Sequence, residues 1–147
     1  MHIHSIKNTG IALAIAAAAL VGCQSGQMGG KTAMKAQLAA SQEVPPNPSR
    51  GTGAGTFNFD PATKQLQWNV NYSGLSGPVT GAHIHGPAAA GANAGVMIPF
   101  QNVGTSPITG TATLTDAQVQ ALNSGQTYVN IHTAANPAGE IRGQITK

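Results

Sequence analysis

The chain has 147 residues, the length of one domain, and only 7% of them are charged. Its net charge of +3 rests on scattered basic residues, which sets aside a nucleic-acid surface, and four acidic residues are too few for a calcium cage. Nineteen glycines, nine prolines, few aromatics and stretches rich in Thr, Asn and Gln point instead to an all-β domain with many turns.

The N-terminus reads as an address. Lys7 supplies a positive charge ahead of the apolar run 11–21, which is too short to span a bilayer and suits the core of a signal peptide. The run ends in Leu20-Val21-Gly22-Cys23, which resembles the lipobox of bacterial lipoproteins. That resemblance implies cleavage before Cys23 and lipidation of its thiol. Residues 1–22 are then the signal peptide, and His2 and His4 leave with it. The only cysteine serves as an anchor, so neither an intrachain disulfide nor a thiolate ligand is expected. Residues 23–33 read as a lipidated, Gly-rich flexible tether, and the domain occupies 34–147.

Alternation begins at Met34. Met34, Ala36, Leu38 and Ala40 share one face of a first strand, which Pro45, Pro46 and Pro48 bring to an end. Residues 54–60 form a second strand and 65–72 a third, joined by the turn Asp60-Pro61-Ala62-Thr63-Lys64. Leu66, Trp68, Val70 and Tyr72 point inward and Gln65, Gln67, Asn69 and Asn71 outward, so one face is wet. Residues 80–85, 96–100 and 108–114 are further strands. The stretch from Thr115 to Gly125 reads as a short helix, with Thr115 as N-cap, Asp116 in the first turn and Gly125 past the end. Residues 128–133 and 140–145 close the chain as a hairpin. About eight short strands with turn signals between them predict a Greek-key β-sandwich or flattened barrel with one short helix.

Strand parity then places the polar side chains. Ala82 and Ile84 share one face of strand 80–85, and His83 and His85 the other. Val129 and Ile131 share one face of strand 128–133, and Tyr128, Asn130 and His132 the other. Ile141, Gly143 and Ile145 oppose Glu140, Arg142 and Gln144. With the apolar sets turned to the core, all three histidines lie on outer faces beside Asn130, Glu140 and Arg142. Pairing His132 with Glu140 sets Asn130 opposite Arg142, although a slip by two would preserve parity. Glu140 and Arg142 read either as neighbours of His132 or as an exposed ion pair. Two histidines at i and i+2 have Cα atoms about 6.6 Å apart, and His132 would complete a three-nitrogen site of the kind copper or zinc takes. The bland reading is a set of solvated surface histidines.

Four motifs resemble the CHRD domain, named from chordin and found in many bacterial secreted proteins. They are Leu38-Ala-Ala-Ser-Gln-Glu-Val-Pro-Pro46, Gly81-Ala-His-Ile-His-Gly-Pro-Ala88, Tyr128-Val-Asn-Ile-His-Thr133 and Asn136-Pro-Ala-Gly-Glu-Ile-Arg-Gly-Gln144. The resemblance covers about residues 33–146 and implies an all-β, immunoglobulin-like domain without one set activity. Gly-x-His-x-His-Gly is also similar to the copper-ligand strand of copper/zinc superoxide dismutases. That likeness implies copper on His83, His85 and His132, and an anion-attracting Arg142. The dismutases' bridging histidine, zinc loop and disulfide have no counterpart after Cys23. Met97 reads either as a soft axial ligand for Cu(I) or as a core residue.

The expectation is a lipid-anchored extracytoplasmic CHRD-domain protein that binds copper, with zinc second, through His83, His85 and His132 and without catalysis. Asn130, Glu140 and Arg142 stand behind the ligands. The membrane is its partner through Cys23, nucleic acid is not, and no protein partner is named by the residues. Gln24 after the cysteine favours the outer membrane where the cell has one. The alternatives are a metal-free cell-envelope interaction module and a superoxide dismutase-like oxidoreductase.

Overall fold

The structure, a computed structural model, describes His2 and residues 29–147. The rest of the expected signal segment, the lipobox and Cys23 lie outside the described residues. Eight antiparallel strands follow: β1 (Thr32–Ala39), β2 (Thr52–Asp60), β3 (Gln65–Ser73), β4 (Val79–His85), β5 (Val96–Pro99), β6 (Ile108–Thr113), β7 (Tyr128–Thr133) and β8 (Ile141–Gln144). One 3₁₀ turn (Ala40–Gln42) and one helix, α1 (Asp116–Asn123), complete the elements of the described residues. The strands form one sheet in the order β5-β4-β7-β8-β1-β2-β3-β6, which curls until it nearly closes.

The expected strands are all present, with ends displaced by a residue or two. β1 begins at Thr32, inside the expected tether, because Thr32 and Ala33 find partners in Phe59 and Asn58 of β2. The alternating apolar sets converge on one core. Met34, Leu38, Phe57, Leu66, Trp68 and Val70 come from one half of the sheet, and Ile84, Val129, Ile131, Ile141 and Ile145 from the other. Trp68 stacks on Phe100 at 4.6 Å. Tyr72 is only partly buried; its hydroxyl donates to the Val103 carbonyl at 3.0 Å, which draws the ring to the rim.

Thr115 caps α1 in a reciprocal box. Its hydroxyl accepts from the Gln118 N–H, and the Gln118 side chain accepts from the Thr115 N–H. Ala121 and Leu122 are the buried residues of the helix.

The two halves of the sheet meet at β1 and β8, which share the pair Ala39–Arg142, and just past β8 a bridge joins Lys35 to Thr146. Gly143 makes that seam possible. A Cβ there would overlap the carbonyl of Gln37, so no larger residue lets β8 come this close.

Candidate metal centre

β4 pairs antiparallel with β7, which parity alone left open. The register sets Gly81 against His132, His83 against Asn130 and His85 against Tyr128. His83 and His132 are therefore diagonal neighbours, a relation that brings long side chains on one face into reach. Gly81, opposite His132, leaves the room that the His83 ring occupies, since a Cβ at 81 would stand 3.2 Å from its Cε1.

The three rings gather on the outer face of the sheet. Their centroids are 5.4 Å apart for His83–His85, 4.9 Å for His83–His132 and 6.0 Å for His85–His132. One ring nitrogen from each lies within 4.8 Å of the others, and these residues form the candidate metal-ligand group among the described residues. Three nitrogens each 2.0–2.1 Å from a common ion would stand about 3.3–3.6 Å apart. The site would have to contract from its 4.8 Å spread toward that spacing to hold an ion.

Backbone carbonyls decide which nitrogens are free. His85 Nδ1 lies 3.0 Å from the Ala94 carbonyl, and His132 Nδ1 lies 3.1 Å from that of Pro137. A carbonyl only accepts, so each Nδ1 carries the proton and each Nε2 keeps its lone pair. His85 Nε2 is buried without any partner. His132 Nε2 accepts from His83 Nδ1 at 3.1 Å. A metal ion would take over both lone pairs, and for His83 to join them through Nδ1 its proton would have to move to Nε2.

All three histidines are held below the usual imidazole range. Burial is the first cause for each. For His83 the neighbouring charges of His132 and His85 add to it. For His85 the Ala94 carbonyl opposes burial, while His132 and Arg142 reinforce it. For His132 the Pro137 carbonyl opposes it. The cluster is neutral near pH 7, the form that ligates metal.

The expected supporting residues share this face but do not touch the histidines through hydrogen bonds. The pairing of Asn130 with Arg142 is the expected one. Asn130 Nδ2, however, donates to both oxygens of Glu43 at 3.1 Å. Glu140 is wholly buried and accepts from Ser49 Oγ at 2.6 Å, from Ser76 N and Oγ at 2.7 Å each, and from Thr133 Oγ1. Arg142 is 2% exposed, with Nη1 donating to Asn93 Oδ1 and Nη2 to the Ala92 carbonyl, each at 2.9 Å. The two residues do not form the exposed ion pair that parity allowed. Loops 40–50 and 86–95 lie over the face, so its charged groups are buried and find separate partners. Met97 packs against the hydrophobic core.

Glu43 and Tyr128 carry more of this face than the strand pattern indicates. Tyr128 stacks on His85 with ring centroids 5.0 Å apart and planes within 4°, and Arg142 lies over its ring at 3.6 Å. A tyrosine on a supposedly wet face was the available signal, because a large ring there implies a cover. Glu43 offered less: a lone carboxylate beside prolines, outside any strand.

The family model of the CHRD domain matches residues 34–145. No curated protein and no solved structure matches the chain. The matched segment runs from the first core residue of β1 to the last core residue after β8, taking in all three histidines and both covering loops, and the chain belongs to the CHRD domain family.

Proposed function

We propose that this protein is a lipid-anchored, extracytoplasmic CHRD-domain protein that binds copper through His83, His85 and His132 without turning over a substrate. One observation carries the metal reading. His85 and His132 each hold a protonated Nδ1 against a main-chain carbonyl, which leaves both Nε2 atoms unprotonated, and one ring nitrogen from each of the three histidines lies within 4.8 Å of the others. Hydrogen bonds of this kind, from the far nitrogen of each ring, fix ring orientation in metal sites. An all-imidazole donor set suits copper and zinc, and copper binds the more tightly at equal geometry. The anchor rests on Leu20-Val21-Gly22-Cys23.

Metal titration of the purified chain tests the site. Wild type should take up one equivalent of Cu(II), and His83→Ala/His85→Ala should bind at least about 100-fold more weakly. Equally weak binding by both proteins would leave the metal reading without support. Competition between Cu(II) and Zn(II) decides the metal. Superoxide turnover at a catalytic rate would transfer the site to the oxidoreductase class.

The metal-free envelope module keeps one observation in its favour. The 3.1 Å contact between His83 and His132 satisfies both nitrogens without an ion.

A further inference from the structure

Loop 86–95 is rich in glycine and alanine, yet it supplies the carbonyl that orients His85. Its Ala and Gly side chains make no hydrogen bonds, and main-chain bonds from Gly86 N to Gly95 O at 3.3 Å and from Ala88 N to Gln126 O at 2.8 Å close its base. The side-chain hold on its far end comes from the outer face of β7 and β8. The Arg142 guanidinium carbon lies over the Tyr128 ring, 3.6 Å from its centre, and its two terminal nitrogens meet Asn93 Oδ1 and the Ala92 carbonyl. Asn93 Nδ2 then donates to the Val44 carbonyl at 3.0 Å, tying the loop to the other covering segment. The Tyr128 hydroxyl accepts from Ala94 N at 3.1 Å and donates to Ala94 O at 3.3 Å. Ala94, the next residue along from Asn93, is thus fixed beside the clamp, and its carbonyl accepts from His85 Nδ1.

We propose that Arg142 is a positioning residue for His85: by clamping Asn93 and Ala92 it holds the Ala94 carbonyl where it fixes the protonation pattern of the ring. This rests on the metal reading only for its consequence, the affinity of the site. The clamp itself belongs to the metal-free chain. Lysine could not replace arginine in it. An ammonium is a compact point charge that neither lies flat on an aromatic ring nor presents two coplanar N–H groups.

The experiment uses Asn93→Ala and Arg142→Lys. Asn93 is exposed, so its truncation leaves the fold intact even if replacing buried Arg142 does not. Long-range proton–nitrogen correlation NMR on the metal-free chain at about pH 7.5, above the imidazole range, reads the tautomer of each histidine. Wild type should show His85 protonated at Nδ1 alone. Asn93→Ala should show a mixture at His85 while His132, held by Pro137, is unchanged. Arg142→Lys, where it folds, should show the same mixture. Cu(II) affinity should fall by about 10- to 100-fold. A wild-type tautomer at His85 in Asn93→Ala would overturn the clamp. If wild type binds no Cu(II), the metal reading fails, and the NMR result still decides whether Arg142 positions His85.

Discussion

The two halves of the sheet are built on different rules. In β1, β2, β3 and β6 the outward residues stay in solvent, and β2 and β3 alternate between exposed and buried along most of their length. In β7 five of six residues are buried, and in β8 three of four. The first half packs one face on the core. In the second, β7 and β8 pack both, one against the core and one beneath loops 40–50 and 86–95. Polar residues therefore meet different demands. Asn69 and Gln67 sit in water and bond their neighbours loosely, while Asn130, Glu140 and Arg142 have lost water and depend on named partners. An unpaired group in the second half costs its full desolvation, which a surface group never does.

The largest expected effect is at Glu140. Its carboxylate draws Ser49 and Ser76, from two separate loops, onto Thr133 of β7. Glu140→Ala strands three hydroxyls and an N–H, and should destabilise by about 3–4 kcal/mol in urea unfolding. Burial raises the carboxyl, but the hydrogen bonds from Ser49, Thr133 and Ser76 outweigh it and hold it at about 2, below its ordinary 4.5. The folded value is the lower one. The contribution is therefore complete above pH 4.5 and is lost as pH falls toward 2. A loss of less than about 1 kcal/mol at neutral pH would erase the distinction between the halves.

Glu43 should behave in the opposite sense. Burial pushes it up to about 7 from 4.5, against the opposing pull of Asn130 and the charge of Arg142. The folded value is now the higher one, so ionisation costs stability as pH rises from 4.5 to 7. Asn130 Oδ1 is buried without a donor, which a protonated Glu43 or an amide at 43 could supply. Glu43→Gln should leave the melting temperature unchanged near pH 4.5 and raise stability by about 1–2 kcal/mol near pH 8. A lower melting temperature at the higher pH would show that the charge on Glu43 is wanted there, by Arg142 or by a bound cation.

What could be read from the sequence follows the same division. Alternation is a local signal, so the strands, the inward sets Leu66-Trp68-Val70 and Val129-Ile131, and the capped helix were all legible. Parity also put His83, His85 and His132 on one kind of face. It could not set β4 beside β7, because they are joined only through about forty residues of other structure, and that pairing is settled by the packing of the whole barrel. Nor could it show the cover. Residues 86–95 carry no pattern, and apart from the Asn93 side chain their role lies in main-chain carbonyls, which are the same for every amino acid. The carbonyls of Ala94 and Pro137 had no signature for that reason, and Glu43 stands outside any strand whose parity could place it.

The smallest effect belongs to the open half, where the comparison is easiest to break. Asn69 lies on β3 between Thr56 of β2 and Thr109 of β6, exposed, with its Oδ1 accepting from Asn71 at 3.1 Å. Asn69→Thr loses that one solvated bond and gains a β-branched side chain between two threonines, which suits a strand. The two terms oppose each other, and water replaces whatever the amide gives up. The change should fall within about 0.5 kcal/mol of wild type in urea unfolding and leave Cu(II) affinity untouched. A loss of several kcal/mol would mean that this face is also covered in solution, by a partner or a second copy of the chain, and that openness is not what separates the two halves.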